Sequence, residues 1–159
     1  MLRIYLSGAI SGRTYEEATE WRRVAAKELN GTGMECYDPM RGSELFSHQK
    51  SQVIASMHYP KRHPELSDKA LKDRDILDII RSDIVLVNLL HAKAVSIGTV
   101  YEVGIASYLK KLVVLVMEAD NIHDHPFLRD SGVIFRTLSS ALRYVKSCAD
   151  GVFVEESEA

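Results

Sequence analysis

The chain has little of what usually betrays a protein's chemistry. It has only two cysteines in 159 residues, Cys36 and Cys148, and they lie far apart. That excludes a disulfide framework, supplies no metal-ligand spacing and reads as reduced thiols of a cytoplasmic protein. An excess of one charge is missing too. Twenty basic and 22 acidic residues leave −2, which gives no footprint for a nucleic acid polymer or a membrane surface. No apolar run approaches the roughly 20 residues of a membrane span. Leu2 to Leu6 is too short for the apolar core of a secretion signal, so none is expected. Internal repeats and low-complexity tracts are absent as well. His123-Asp124-His125 comes nearest to a metal motif, but spacing adds no third ligand. A loop at a strand end is expected there, with no metal and no cofactor.

What is present is an ordinary globular balance, 46% hydrophobic and 26% charged, long enough for one domain. The expected domain covers residues 1–150, and an acidic tail, residues 151–159, follows. Short apolar runs alternate with helical periodicity. Arg3 to Ser7 reads as a strand. Thr14 to Leu29 reads as a helix, with Ala18, Trp21, Ala25 and Leu29 at three- and four-residue steps and Thr14 and Glu17 forming a capping box. Met34 to Tyr37 is a second strand. Glu44 to Met57 has weak helical character, and Tyr59-Pro60 to His63-Pro64 reads as a loop. That stretch holds His48, His58 and His63 and has the length of a binding loop. Ser67 and Asp68 cap a helix ending near Arg81-Ser82. Asp83 to Asn88, Leu112 to Met117 and Val133 to Phe135 are strands. Thr99 to Lys110 and Ser139 to Cys148 are helices. Alternation of this kind predicts an α/β fold: a single doubly wound, flavodoxin- or Rossmann-like domain with five parallel strands. Right-handed crossovers favour the order 2-1-3-4-5, which opens the loops after Ser7 and before Thr99 into one crevice.

Four signals carry possible chemistry. Glu102 lies in Ser96-Ile97-Gly98-Thr99-Val100-Tyr101-Glu102-Val103-Gly104, just inside a helix that follows a buried-looking strand. Spacing leaves two roles open for it. With Thr99 as N-cap, Glu102 closes a capping box. Facing the crevice, it is an anionic group able to attack a sugar carbon or stabilise a cationic sugar. Asp75 is a second carboxylate, open to two readings: a proton donor, or one member of a solvated acidic face with Asp73 and Asp78. Gly8-Ala9-Ile10-Ser11-Gly12-Arg13 after the first strand lets backbone approach an anion. Yet it is neither a phosphate-binding Walker loop nor a full dinucleotide fingerprint. Ser96, before a helix N-terminus, can bond a phosphate or a loop amide.

The order of these signals is more specific than any one of them. Ile4-Tyr5-Leu6-Ser7-Gly8, then Asp75 with Ile79, then Ser82-Asp83-Ile84-Val85-Leu86-Val87, then Gly98 to Gly104 and Lys110-Lys111-Leu112-Val113-Val114 resembles the nucleoside 2-deoxyribosyltransferase family. That family includes the 2′-deoxynucleoside 5′-phosphate N-hydrolases, and the likeness spans most of residues 2–117. The resemblance implies that Glu102 is the catalytic nucleophile, that Tyr5 holds it and that Asp75 protonates the departing base. It implies substrate contacts at Ser7, Gly8, Ala9, Ile10, Ser11, Gly12, Arg13, Asn88, Ser96, Gly98 and Thr99. Ala9 stands where some hydrolases carry a serine. Family members acting on free nucleosides tend to have an acid at the position of Ser96, whereas the nucleotide hydrolases have a serine. A hydroxyl can donate to a phosphate that an acid would repel. The expected activity is therefore cleavage of the N-glycosidic bond of a (deoxy)nucleoside 5′-monophosphate. Base exchange on free deoxynucleosides and a non-catalytic nucleotide-sensing module are the alternatives. A phosphoribohydrolase also carries Gly-Thr-x-x-Glu, but Ser96-Ile97 replaces its preceding glycine pair. The resemblance further implies a homodimer or larger homo-oligomer, a small-molecule partner and no metal or redox cofactor.

Overall fold

The computed structural model describes residues 1–43 and 64–150. Glu44 to Met57, the loop from Tyr59 to His63 and the acidic tail lie outside the described residues. Five strands form one sheet: β1 (Leu2–Gly8), β2 (Met34–Tyr37), β3 (Ile84–Asn88), β4 (Leu112–Val116) and β5 (Val133–Phe135). All pairings are parallel, and the order is β2-β1-β3-β4-β5, as the alternation of elements anticipates. Among the described residues five helices accompany it: α1 (Tyr15–Leu29), α2 (Asp68–Arg81), α3 (Ile97–Tyr108), α4 (Pro126–Arg129) and α5 (Leu138–Asp150). A 3₁₀ turn, Pro64–Leu66, precedes α2.

A parallel sheet needs cover on both faces, which is why its strands are nearly continuously apolar. Here Ile4, Leu6, Leu86 and Val114 pack on one face with Ala25 and Leu29 of α1 and Leu142 and Val145 of α5. Tyr5, Val85, Val87 and Val113 pack on the other face with Ile79 of α2 and Val103 and Ala106 of α3. Because side chains alternate along a strand, Tyr5 and Ser7 share the α2 and α3 face. Thr14 and Glu17 do form the reciprocal cap of α1: Glu17 N–H donates to Thr14 Oγ1 at 3.1 Å and Thr14 N–H to Glu17 Oε2 at 2.9 Å.

The helices differ from expectation at α3, α5 and α4. α3 starts at Ile97 with Ser96 as its N-cap, two residues before the expected start at Thr99, and ends at Tyr108, two residues before the expected end at Lys110. α5 runs from Leu138 to Asp150, beyond the expected span at both ends. The short α4 was not foreseen; Pro126 opens it and His125 caps it, a turn too brief for periodicity to register.

Candidate functional site

A cavity of about 550 Å³ opens at the carboxyl ends of β1 and β3, bounded by the N-terminal halves of α2 and α3. Crevices at this end of a doubly wound sheet, where crossovers diverge to opposite faces, are the usual ligand sites. Its lining includes Gly8, Ile10 and Ser11 after β1, Asp75 of α2, and Ser96 with Glu102 of α3.

Glu102 is not a helix cap. It sits more than a turn inside α3, and Thr99 N–H is taken by Ser96 Oγ at 3.4 Å. Its carboxylate instead accepts from two hydroxyls of β1: Tyr5 Oη at 2.8 Å on Oε1 and Ser7 Oγ at 2.5 Å on Oε2. The two donors are two residues apart, so the strand's period aims both at one carboxylate. Burial pushes the Glu102 carboxyl above its ordinary range, while the Ser7 and Tyr5 hydrogen bonds and the Arg22 charge pull it down. Tyr5 keeps its proton, because burial and then Glu102 and Asp75 raise it well above 10.

Asp75 lines the same cavity, with its side chain 19% exposed. Burial raises it and Arg74 pulls against that; with the Glu102 charge also raising it, Asp75 ends at about 6. Both Nε and Nη2 of Arg74 donate to Asp75 Oδ1 at 3.2 Å. The same guanidinium donates to the carbonyls of Pro39 at 2.6 Å and Arg41 at 3.1 Å, tying α2 to the segment after β2. Of the acidic face imagined on α2, Asp73 is indeed outward and paired with Lys69. Asp78 is fully buried between Arg41 and Arg81. One carboxylate of the three faces the cavity.

The other expected residues fall in four places. Gly8, Ile10, Ser11, Ser96, Gly98 and Thr99 line the cavity. Ser7 has no exposed surface, and its hydroxyl is committed to Glu102. Ala9, Gly12 and Arg13 instead line a recess of about 80 Å³, next to Ser11, Lys93 and Ser96. Asn88 faces a separate cleft of about 630 Å³ on the α1 side, which Ala9 and Arg13 also reach. Gly12 serves a turn: its φ is +81°, and Arg13 N–H donates to the Ile10 carbonyl at 3.1 Å, the glycine position of a tight turn. Gly8 is glycine for lack of space, since a Cβ would lie 2.9 Å from both the Asn88 carbonyl oxygen and Trp21 Cζ2.

Two residues behind the cavity lining carry no readable signal in the sequence. Arg22 is fully buried beneath the end of β1. It donates to the carbonyls of Leu6 at 3.1 Å, Gly8 at 2.8 Å and Ala18, and stacks on Trp21 at 4.5 Å. On a helical wheel it looks like one more charged residue of α1. His123, set aside as a loop residue, accepts the Ser96 backbone N–H on Nε2 at 2.9 Å. Among the described residues no group of three or more His, Cys, Asp or Glu is arranged to hold a metal ion. No described helix is long and apolar enough to cross a membrane.

Comparison with known proteins gives one family and several similar folds. A family model described as nucleoside 2-deoxyribosyltransferase matches residues 4–158, extending the likeness well past Met117. None of the curated proteins compared matches the sequence. Among solved structures, the 2-desoxiribosyltransferase of Leishmania mexicana is 15% identical, with 92% of this chain and 98% of that one aligned at a TM-score of 0.65. The 2-deoxyribosyltransferase of Bacillus psychrosaccharolyticus is 18% identical, with 88% and 90% aligned and a TM-score of 0.62. A CMP N-glycosidase of Clostridium botulinum is 17% identical, with 90% and 97% aligned and a TM-score of 0.55. At these identities the likeness establishes the shared fold.

Proposed function

The chain belongs to the nucleoside 2-deoxyribosyltransferase family, and from that premise we propose that it is an enzyme cleaving the N-glycosidic bond of a (deoxy)nucleoside 5′-monophosphate through a glycosyl-glutamate intermediate. The observation carrying this reading is the pairing of carboxyls on one cavity: Glu102, held by Tyr5 and Ser7, and Asp75, raised to about 6. Two carboxyl groups in unlike environments are what double displacement at a sugar carbon requires.

In the first half-reaction one Glu102 oxygen attacks C1′ as the C1′–N bond breaks. The bonding pair leaves with the base, and Asp75 gives that base its proton. Hydroxyls on both Glu102 oxygens orient the nucleophile while leaving lone pairs for C1′. In the second half-reaction Asp75, now ionised, takes a proton from water as the water oxygen displaces Glu102 from C1′. A second base in place of that water gives transfer instead of hydrolysis. The preference for a monophosphate rests on Ser96 and on the adjoining recess, which Ser11, Arg13 and Lys93 line together with Glu17, whose carboxylate the Thr14 N–H and then both cations help hold ionised.

The test is release of free base from deoxynucleoside 5′-monophosphates and from the matching nucleosides, with and without a second base. Glu102→Ala should reduce release to background on every substrate. Equal rates in wild type and variant would end the enzymatic reading. Binding of a nucleotide without turnover would favour the sensing module instead.

The same reading includes assembly as a homodimer or larger homo-oligomer. Ile97, Tyr101 and Tyr108 are 81%, 52% and 84% exposed on one stripe of α3, and Leu77 and Ile80 are half exposed on neighbouring α2. Large apolar side chains gathered in this way suit a protein contact better than water.

A further inference from the structure

The geometry points to His123 as a positioning residue that sets the site's preference for a 5′-phosphate, by holding the Ser96 backbone from behind. This rests on the reading of Ser96 as the phosphate contact. His123 is 3% exposed and lies on the connection between β4 and α4, outside the cavity lining. Its contacts form a chain with a backbone group at each end, so the proton positions follow. Asn121 Nδ2 donates to the Leu89 carbonyl at 2.8 Å, which turns its Oδ1 toward His123. That oxygen accepts from the His123 backbone N–H at 2.9 Å and meets Nδ1 at 3.0 Å. A carbonyl oxygen cannot donate, so Nδ1 carries the hydrogen and Nε2 keeps a lone pair. Ser96 N–H can only donate, and it does so to Nε2 at 2.9 Å. The neutral ring with hydrogen on Nδ1 is the form that satisfies every member.

The anchor extends further. Asn121 Nδ2 also donates to Glu118 Oε2 at 2.6 Å, and Glu118 Oε1 accepts from His91 N–H at 2.7 Å. Both ends of the connection from Leu89 to Ser96 are thereby tied to the residues after β4. Ser96 in turn lines the cavity, with its hydroxyl 2.8 Å from Thr99 Oγ1. Without an acceptor at His123 the Ser96 N–H would lose its partner, and the cap residue would be free to turn. Protonation would have the same effect, since a proton on Nε2 opposes the Ser96 N–H. The charges around the ring are Arg13 from the β1–α1 loop, which with burial disfavours a protonated ring, and Glu118 beside His91, beyond Asn121. Asp124, the next residue, is paired with Arg129 at 2.7 Å.

The experiment compares wild type with His123→Phe, which keeps the ring shape without an acceptor, and His123→Gln, which can place an oxygen near Nε2. Each is assayed on a deoxynucleoside 5′-monophosphate and on the same nucleoside. His123→Phe should raise KM for the monophosphate about tenfold, the loss of one hydrogen bond's worth of positioning. Its kcat and its kinetics on the nucleoside should stay near wild type, and His123→Gln should restore most of the preference. As pH falls, the monophosphate KM of wild type should climb more steeply than that of His123→Gln, a comparison in which the titration of the phosphate itself cancels. Equal losses on both substrates, or a Gln variant no better than Phe, would overturn the proposal. Should wild type cleave no nucleotide, the functional reading fails by itself, and exchange of the Ser96 amide hydrogen decides the positioning role. That exchange should be about tenfold faster in His123→Phe than in His123→Gln, and equal rates would refute the role.

Discussion

At the scale of single residues, Glu102 and Asp75 differ because their neighbours differ. Burial raises both carboxyls; two hydroxyl hydrogen bonds and the Arg22 charge pull Glu102 back, whereas at Asp75 Arg74 pulls back against burial and the Glu102 charge adds to it. The proposed chemistry therefore predicts a bell-shaped kcat/KM profile. Activity should fall as pH rises through about 6, where Asp75 loses its proton, and fall again in acid as Glu102 gains one. Replacing Asp75 with Asn should cost on the order of 10²- to 10⁴-fold in base release, the usual contribution of a general acid. Stability should move the other way. A carboxyl whose pKa is higher folded than unfolded favours the fold fully below its unfolded value, and that benefit is lost as pH rises through the folded one. Asp75→Asn should thus stabilise the protein by about 1–2 kcal/mol at pH 8 and much less near pH 4. Urea unfolding at the two pH values measures this; weakening of the Arg74 hydrogen bonds on substitution makes the gain smaller than the shift alone would give.

At the scale of elements, two connections decide what the cavity can hold. The N-terminus of α3 depends on Ser96, which is cap and cavity wall at once. Aspartate caps helices as well as serine does, so Ser96→Asp separates the two roles. The fold should keep its melting temperature, while the ratio of monophosphate to nucleoside cleavage should drop more than tenfold through charge repulsion. Thermal unfolding and paired substrate assays report each half. The turn after β1 is set by crowding. In Gly8→Ala the new Cβ would meet the Asn88 carbonyl and the Trp21 ring, itself stacked on buried Arg22. Overpacking of this kind costs about 1–3 kcal/mol, read by denaturant unfolding. Activity should fall further than stability explains, because the same residue borders Glu102's cavity.

At the scale of the whole molecule, the exposed apolar stripe on α3 with its neighbours on α2 predicts self-association. Light scattering after gel filtration should give at least twice the 17.9 kDa chain mass. Tyr101→Glu with Tyr108→Glu should shift the distribution toward monomer, and a wild-type monomer at micromolar concentration would refute it. Much of the architecture was legible in the sequence, because short apolar runs and helical steps are local patterns and handedness rules prune the ways to connect them. The Thr14–Glu17 cap and the five strands are of that kind. The start of α3 was misread because Thr99 and Glu102 also fit a capping box, and spacing alone does not say which hydroxyl meets which amide. Arg22 and His123 were illegible because a buried arginine and a satisfied histidine differ from their exposed counterparts only in what surrounds them. The parallel α/β order and the family were readable from the linear chain, since both rest on the succession of residues along it. What needed the folded chain is that Ser7 joins Tyr5 on Glu102 across some 95 residues, that Asp73 turns outward and Asp78 is buried while Asp75 faces the cavity, and that His123 accepts the Ser96 N–H. Hydrogen bonding and desolvation act through space, and distance in space is what a linear pattern does not contain.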